Sequence, residues 1–146
     1  MKTEAQKGFT LIELVVVIAL LGILAAFAIP RFASLESEAR SAVTQGLSGS
    51  VRSAAAMAHG LHLATGAASV DMEGNAIAIV NGYPSAATII DTLADASGFD
   101  APVVAAGPPG TATIAKSGAP GACEVVYTEA AAAGSPPGVA VDVSGC

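Results

Sequence analysis

The sequence predicts an α+β fold, in which one long amino-terminal helix packs on a small domain built around an antiparallel sheet. Three observations predict it. A continuous apolar run occupies most of the first 30 residues, an apolar stripe with near-helical spacing follows that run, and short strand-like segments separated by turn signals fill the second half. A chain of 146 residues is long enough for one such domain.

The apolar run covers residues 9–29 and predicts a helix about 31 Å long, enough to cross a bilayer core. An ordinary signal peptide fits poorly, because Pro30 follows the run where a small-x-small cleavage site would stand. A simple signal anchor explains the length of the run and leaves the carboxylate of Glu13 unexplained. A charge near the centre of a membrane helix costs about 2.5–3.5 kcal/mol, and such residues are usually functional.

Glu13 has no Lys, Arg or His within the apolar run to neutralise it. Cleavage between Gly8 and Phe9 would create a cation, since a free α-amine has a pKa of about 7.7–8.0. That amine would lie one helical turn from Glu13 and on the same face. The spacing allows an ion pair within one chain or between stacked copies of the chain.

The short charged leader ending in Gly8, followed by "FTLIELVVVIALLGILAAFAIP", resembles the prepilin motif of type IV pilins and related pseudopilins. The resemblance implies that a prepilin peptidase cleaves after Gly8 and methylates the amine of Phe9. It implies that Glu13 neutralises the amine of a neighbouring subunit during assembly. The interior Gly22 and the later Pro30 match the motif as well.

Two further segments resemble the mannose-sensitive haemagglutinin pilins, namely "VNGYPSA" (Val80–Ala86) and "CEVVYTEAAAAGSPPGVAVDVSGC" at the carboxyl end. The type IV pilin fold is therefore expected. Its implied organisation is a leader at 1–8, a membrane and filament-core half-helix at 9–29, an amphipathic half-helix at 30–60 and a periplasmic, later surface-exposed, domain at 61–146.

The helix is predicted to run from Phe9 to about His59. Pro30 removes one backbone hydrogen bond and is expected to kink the helix without ending it. Beyond it, apolar residues recur every four positions and predict one buried stripe: Leu35, Ala39, Val43, Leu47, Val51 and Ala55.

Short elements follow the helix. The sequence predicts a polar turn at 71–75, a strand at 76–80, a turn at Asn81-Gly82, a short helix at 87–96 and a strand at 111–116. His59 and His62 could in principle share a metal, and 71–75 loosely resembles a calcium loop. We expect neither site, because two histidines at a helix end are usually solvated and the loop lacks a later bidentate Glu.

The only two cysteines, Cys123 and Cys146, lack CxxC spacing and a nearby His cluster, so the sequence predicts a disulfide rather than a zinc site. Strands are predicted at 123–128 and 138–143. A hairpin centred on Gly134-Ser135 places Cys123 opposite Cys146, and the disulfide then bounds a carboxyl-terminal segment. In that register Val125 and Tyr127 face away from the valines of the partner strand, so a bulge or a shifted pairing is needed.

The chain is acidic, with 12 Asp+Glu against 6 Lys+Arg, and it has no basic stripe, which argues against a nucleic-acid partner. No Ser–His–Asp order, phosphate loop or convergent acid–base set occurs in the sequence. We therefore expect a non-enzymatic protein without cofactors.

By resemblance, the favoured function is a structural subunit of a type IV pilus. The precursor would span the inner membrane once, with its carboxyl-terminal domain in the periplasm. It would then join a homo-oligomeric helical filament outside the cell, with the prepilin peptidase and the pilus assembly machinery as partners. Adhesion and biofilm formation are the expected uses, and motility is a further candidate use. The alternatives are a pseudopilin of a type II secretion system and a membrane-anchored periplasmic binding protein that never polymerises.

Overall fold

The computed structural model describes residues 8–146, apart from the side chains of residues 30–33. The chain divides into two units, the first ending at Ser37 and the second comprising Glu38–Cys146. A single helix, α1 (Leu11–Thr65), contributes residues to both units. The predicted α+β class, with one long helix followed by antiparallel sheets, is confirmed.

The first unit carries the apolar part of α1. All its described side chains as far as Ile29 are exposed, and an 18-residue window reaches a mean hydropathy of 2.9. By length and composition this stretch could cross a membrane. The helical backbone continues through Pro30, whose side chain lies outside the described residues, so the kink stays a prediction.

Helix α1 ends later than its sequence predicts, at Thr65 rather than near His59. Gly66 adopts a φ of +66°, and its N–H donates to the carbonyl oxygen of His62 at 2.7 Å. This is the left-handed glycine cap that commonly closes helices. Gly60 is tolerated inside the helix, and the stop signal is the second glycine.

The buried face of α1 also differs from the predicted stripe. The first three predicted positions, Leu35, Ala39 and Val43, are exposed. A strict spacing of four residues advances about 40° around a helix at each step, so the stripe drifts off any single face. The residues that are buried follow one another at spacings of three and one, which keeps them on a single face: Thr44, Leu47, Ser48, Val51, Ala54, Ala55 and Ala58.

A three-stranded antiparallel sheet follows the helix, with strands β1 (Ser69–Met72), β2 (Asn75–Val80) and β3 (Tyr83–Pro84) in chain order. Both of its two-residue turns have positive φ at each central residue: Glu73 and Gly74 at 50° and 82°, and Asn81 and Gly82 at 53° and 92°. Such turns match the twist of the strands they join. The predicted strand and the turn at Asn81-Gly82 are confirmed. The predicted turn at 71–75 is shorter than expected, because residues 71 and 72 belong to β1, which was missed, and Asn75 begins β2.

The predicted short helix at 87–96 is wrong in extent. Only one 3₁₀ turn forms, Ile90–Thr92. Two polar side chains bond locally instead: the Thr92 hydroxyl donates to the carbonyl oxygen of Ile89 at 2.6 Å, and the Asp95 carboxylate accepts the N–H of Ser97 at 2.7 Å. Such bonds compete with the helical pattern.

The second sheet is a four-stranded antiparallel meander, again in chain order. Its strands are β4 (Val103–Ala105), β5 (Thr111–Ala115), β6 (Glu124–Thr128) and β7 (Gly138–Asp142). The three predicted strands are confirmed within one residue at each end. Strand β4 was missed, because three residues between proline-containing segments give little periodicity.

The predicted register of β6 and β7 is wrong, although the hairpin itself is present. Val125 pairs with Val141 and Tyr127 with Val139, a displacement of three residues from the predicted pairing. An odd displacement moves side chains to the opposite face, which brings the valines onto the side of Tyr127. The chain then turns, with the N–H of Gly145 donating to the carbonyl oxygen of Ala122 at 2.7 Å, and reaches Cys146.

The main core of the second unit forms between the buried face of α1 and the second sheet. It contains three residues of α1, two of the segment after β3 and four of strands β5 and β6: Leu47, Val51, Ala55, Ala86, Ile89, Ala112, Ile114, Val125 and Tyr127. A smaller cluster joins α1 to the first sheet: Ala58, Val70, Met72 and Ile77.

Candidate functional site

The start of α1 carries the residues that the sequence singles out. Thr10 is the N-cap, since its carbonyl oxygen accepts the first helical bond, from the N–H of Leu14 at 3.3 Å. The Thr10 hydroxyl accepts the N–H of Glu13 at 3.3 Å. In return, one carboxylate oxygen of Glu13, Oε2, accepts the N–H of Thr10 at 2.8 Å and its hydroxyl at 2.7 Å.

This reciprocal arrangement is a capping box, which satisfies orphan backbone donors at a helix start. Sequence reasoning missed it, although the Thr-x-x-Glu spacing that signals it stands at residues 10–13. The box shows that the carboxylate has a partner inside its own chain. Hydrogen bonds to an ionised group are stronger than neutral ones, so they offset part of the cost of a charge in an apolar helix.

The two residues before the cap, Gly8 and Phe9, precede the helix. Phe9 is 89% exposed, and a Cβ added to Gly8 would meet nothing within 4 Å. Phe9 and Glu13 line the same shallow depression on the surface of α1, together with Ile12, Val16 and Val17. Phe9 and Glu13 therefore lie next to one depression at the start of the helix.

A second candidate region lies at the carboxyl end, where Cys123 and Cys146 form the predicted disulfide. The hydroxyl of Thr44 lies 3.3 Å from the Cys123 sulfur. The guanidinium of Arg40 donates to the carbonyl oxygen of Cys146 at 3.0 Å. The disulfide therefore fixes the end of the second sheet, and two polar residues of α1 hold it against the helix.

The two histidines are occupied by backbone contacts. Nδ1 of His59 lies 2.7 Å from the carbonyl oxygen of Gly82, and its ring stacks on Tyr83 at 4.2 Å between centroids. Nδ1 of His62 lies 2.8 Å from the carbonyl oxygen of Ala67. Within residues 8–146, no three His, Cys, Asp or Glu side chains are grouped to hold a metal ion.

The segment 71–75, weighed as a calcium loop, is the end of β1 and a tight hairpin turn into β2. Its two-residue turn leaves no room for the 12-residue loop of an EF-hand.

Glu129 is an organising residue that sequence reasoning missed. Its two carboxylate oxygens accept the N–H of Ala86 at 2.6 Å and the N–H of Gly110 at 3.0 Å, so they join two loops to the end of β6. Nearby, the fully buried Tyr127 donates its hydroxyl to the carbonyl oxygen of Pro84 at 2.6 Å. Burial, and then the charge of Glu129, hold the pKa of Tyr127 well above its ordinary value.

Comparison with known proteins adds two kinds of match. Residues 5–29 match the prokaryotic N-terminal methylation motif. Over 52 residues the chain is 52% identical to the major component of a type IV narrow pilus of Thermus thermophilus, covering 36% of this chain and 45% of that protein.

Two shorter matches are to fimbrial proteins. A fimbrial protein of Pseudomonas aeruginosa is 56% identical over 45 residues, which cover 31% of this chain and 28% of the relative. A type IV major fimbrial protein of Dichelobacter nodosus is 58% identical over 43 residues, covering 30% of this chain and 26% of the relative. The chain thus spans less than half the length of the curated relatives it matches. No solved structure matched the chain.

Proposed function

We propose that this chain is a structural subunit of a type IV pilus and that it polymerises through the apolar part of α1. One observation carries the proposal: the methylation motif at residues 5–29 coincides with an exposed apolar helix that presents the Glu13 carboxylate on the same face as Phe9. Such a helix must be covered by lipid or by other copies of itself.

In the proposed mechanism the precursor waits in the inner membrane, with α1 in the bilayer and the second unit in the periplasm. A prepilin peptidase cleaves between Gly8 and Phe9 and methylates the new amine. Assembly then moves the helix from lipid into a bundle of identical helices. Close approach of those helices is favoured by small side chains in the apolar run: Gly22, Ala25, Ala26 and Ala28.

The electrostatic step follows from the same segment. The amine of Phe9 on one subunit pairs with Glu13 of a neighbouring subunit, and only a correctly staggered neighbour brings the two charges together. Contacts of this kind are head-to-tail and do not close, so they generate a filament. Removing one charge leaves the other in apolar surroundings, which is costly.

The matched relatives support a pilus over a type II secretion pseudopilin, because all of those described above are named as pilus or fimbrial proteins. Within the pilins, we further propose the mannose-sensitive haemagglutinin type, on the strength of Val80–Ala86 and the segment from Cys123 to Cys146. Adhesion and biofilm formation are the uses that this type implies.

Shearing cells and imaging the released material by electron microscopy tests the proposal. We expect filaments whose main protein is this chain, with methylated Phe9 as its first residue by mass spectrometry. A chain that stays in the membrane and never appears in sheared fibres would refute the pilus function. A first residue other than Phe9 would refute the processing step.

The role of Glu13 is tested by Glu13→Ala, with Glu38→Ala as the matched control, since Glu38 is an exposed carboxylate on the same helix outside the apolar run. We expect normal amounts of membrane-inserted Glu13→Ala chain and at least about ten-fold less filament, because stranding one buried charge costs several kcal/mol. The control should assemble normally. Equal filament yields from the two variants would contradict the pairing.

A further inference from the structure

The two carboxylate oxygens of Glu13 have different surroundings. Both bonds from Thr10 end on Oε2, one from the backbone N–H at 2.8 Å and one from the hydroxyl at 2.7 Å. Within the part of the chain that the structure describes, no group donates to Oε1. One oxygen is therefore held by the helix cap and the other carries none of these bonds, while the Glu13 side chain lines the same depression as Phe9.

We propose that Thr10 is a positioning residue for assembly: its hydroxyl fixes Oε2 of Glu13 so that Oε1 is directed outward to receive the amine of a second copy of this chain. The inference rests on the proposed pilus function. It adds Thr10 to the residues that assembly needs and assigns a separate partner to each carboxylate oxygen of Glu13. Docking then requires no exchange of partners, because the cap and the incoming amine use different oxygens.

Two physical arguments support this role. A glutamate side chain that samples several rotamers must lose that freedom when it pairs, and ordering it beforehand removes this cost from the docking step. A carboxylate that already accepts two hydrogen bonds is also tolerated better in an apolar helix while the subunit waits for a partner.

Leader removal takes away no atom of the capping box. Every atom of the capping box belongs to Thr10 or Glu13, and both lie on the carboxyl-terminal side of the proposed cleavage point at Gly8. The mature subunit therefore keeps every hydrogen-bonding group of the box, and processing adds the methylated amine of Phe9.

Three substitutions in the full chain separate positioning from simple helix capping. Thr10→Val has nearly the shape of Thr and loses the hydroxyl. Thr10→Ser keeps the hydroxyl. Thr10→Gly lacks it too, yet glycine is an acceptable N-cap and costs a helix only a few tenths of a kcal/mol relative to the preferred capping residues. Filament yield is measured in cells per molecule of leader-cleaved chain, so that altered processing cannot imitate altered assembly.

We expect Thr10→Ser to assemble like wild type, while Thr10→Val and Thr10→Gly both lose about ten-fold in filament yield, the equivalent of one hydrogen bond to a charged group. The inserted, cleaved pool should stay unchanged in all three. Wild-type yields from Thr10→Gly would show that Thr10 only caps the helix, and wild-type yields from Thr10→Val would refute any role for the hydroxyl. Either result would leave the pilus function intact, whereas wild-type cells without filaments would overturn that function and this inference together.

Discussion

Tyr127→Phe removes one oxygen atom from the core of the second unit. The Tyr127 ring is fully buried, and its hydroxyl donates to the carbonyl oxygen of Pro84 across 2.6 Å, which joins β6 of the second sheet to β3 of the first. Phenylalanine fills the same ring volume, so no cavity accompanies the loss. The substitution therefore isolates one buried hydrogen bond between the two sheets.

The expected loss of stability at neutral pH is about 1–3 kcal/mol, because the carbonyl oxygen of the buried Pro84 is left without its donor. For a domain of this size, such a loss lowers the midpoint of thermal unfolding by about 4 °C or more. Tyr83→Phe is the matched control, since it deletes the same atom from a half-buried ring whose main contact is stacking on His59.

The pH dependence gives a second, independent signature. The pKa of Tyr127 is raised in the folded state, so above pH 10 the unfolded chain releases its phenolic proton while the folded chain retains it. Stability that is fully present below pH 10 is then lost as pH rises, by about 1.4 kcal/mol per pH unit. Tyr127→Phe lacks this titration. The difference in the free energy of unfolding between wild type and variant should therefore become smaller above pH 10.

Urea denaturation of the full chain in detergent, followed by circular dichroism at pH 7 and at intervals above pH 10, measures both effects. Absorbance at 295 nm reports tyrosine ionisation directly, and we expect part of it to appear only as the protein unfolds. A variant as stable as wild type at pH 7 would refute the hydrogen-bond argument. A difference in the free energy of unfolding between wild type and variant that stays constant above pH 10 would refute the titration argument.

Two further predictions concern the carboxyl-terminal region. Replacing both Cys123 and Cys146 with Ser should destabilise the second unit by about 3 kcal/mol, because the disulfide closes a loop with a sequence separation of 23; equal urea midpoints for the variant and wild type would contradict this. The hydroxyl and then the N–H of Ser144 hold the pKa of the exposed Asp142 below its ordinary value, so the turn that they form is weakened as pH falls through that lowered pKa. Ser144→Ala should raise the Asp142 pKa in an NMR titration, while Ser97→Ala should leave Asp142 unchanged.

Long and locally coded features of the fold could be predicted from the sequence. The apolar run needs no tertiary information, and Asn81-Gly82 specifies its turn through residues that tolerate positive φ. The disulfide follows from there being only two cysteines. Strand β1 could not be found in the same way, because only Val70 and Met72 mark its buried face.

Features set by tertiary contacts were the ones predicted wrongly. The β6–β7 register depends on burying Val139 and Val141 with Tyr127. The predicted register was wrong because it was chosen to place Cys123 opposite Cys146 instead. The end of α1 depends on which glycine takes a left-handed conformation. Gly66 does so, while Gly60 stays within the helix. At the candidate site, the sequence alone predicted roles for Gly8, Phe9 and Glu13, while the proposal for Thr10 rests on which carboxylate oxygen accepts its hydrogen bonds.

The position of the disulfide in the chain has a consequence for biogenesis. Cys146 lies beyond β7, so in the proposed periplasmic domain the bond cannot form until every strand of both sheets has been exported. By then every strand can already have paired with its neighbour in the chain, since both sheets are simple meanders. With two cysteines, one intramolecular pairing exists and none has to be reshuffled. A thiol oxidase can therefore form the Cys123–Cys146 bond in one step, without a later exchange of partners between these two cysteines.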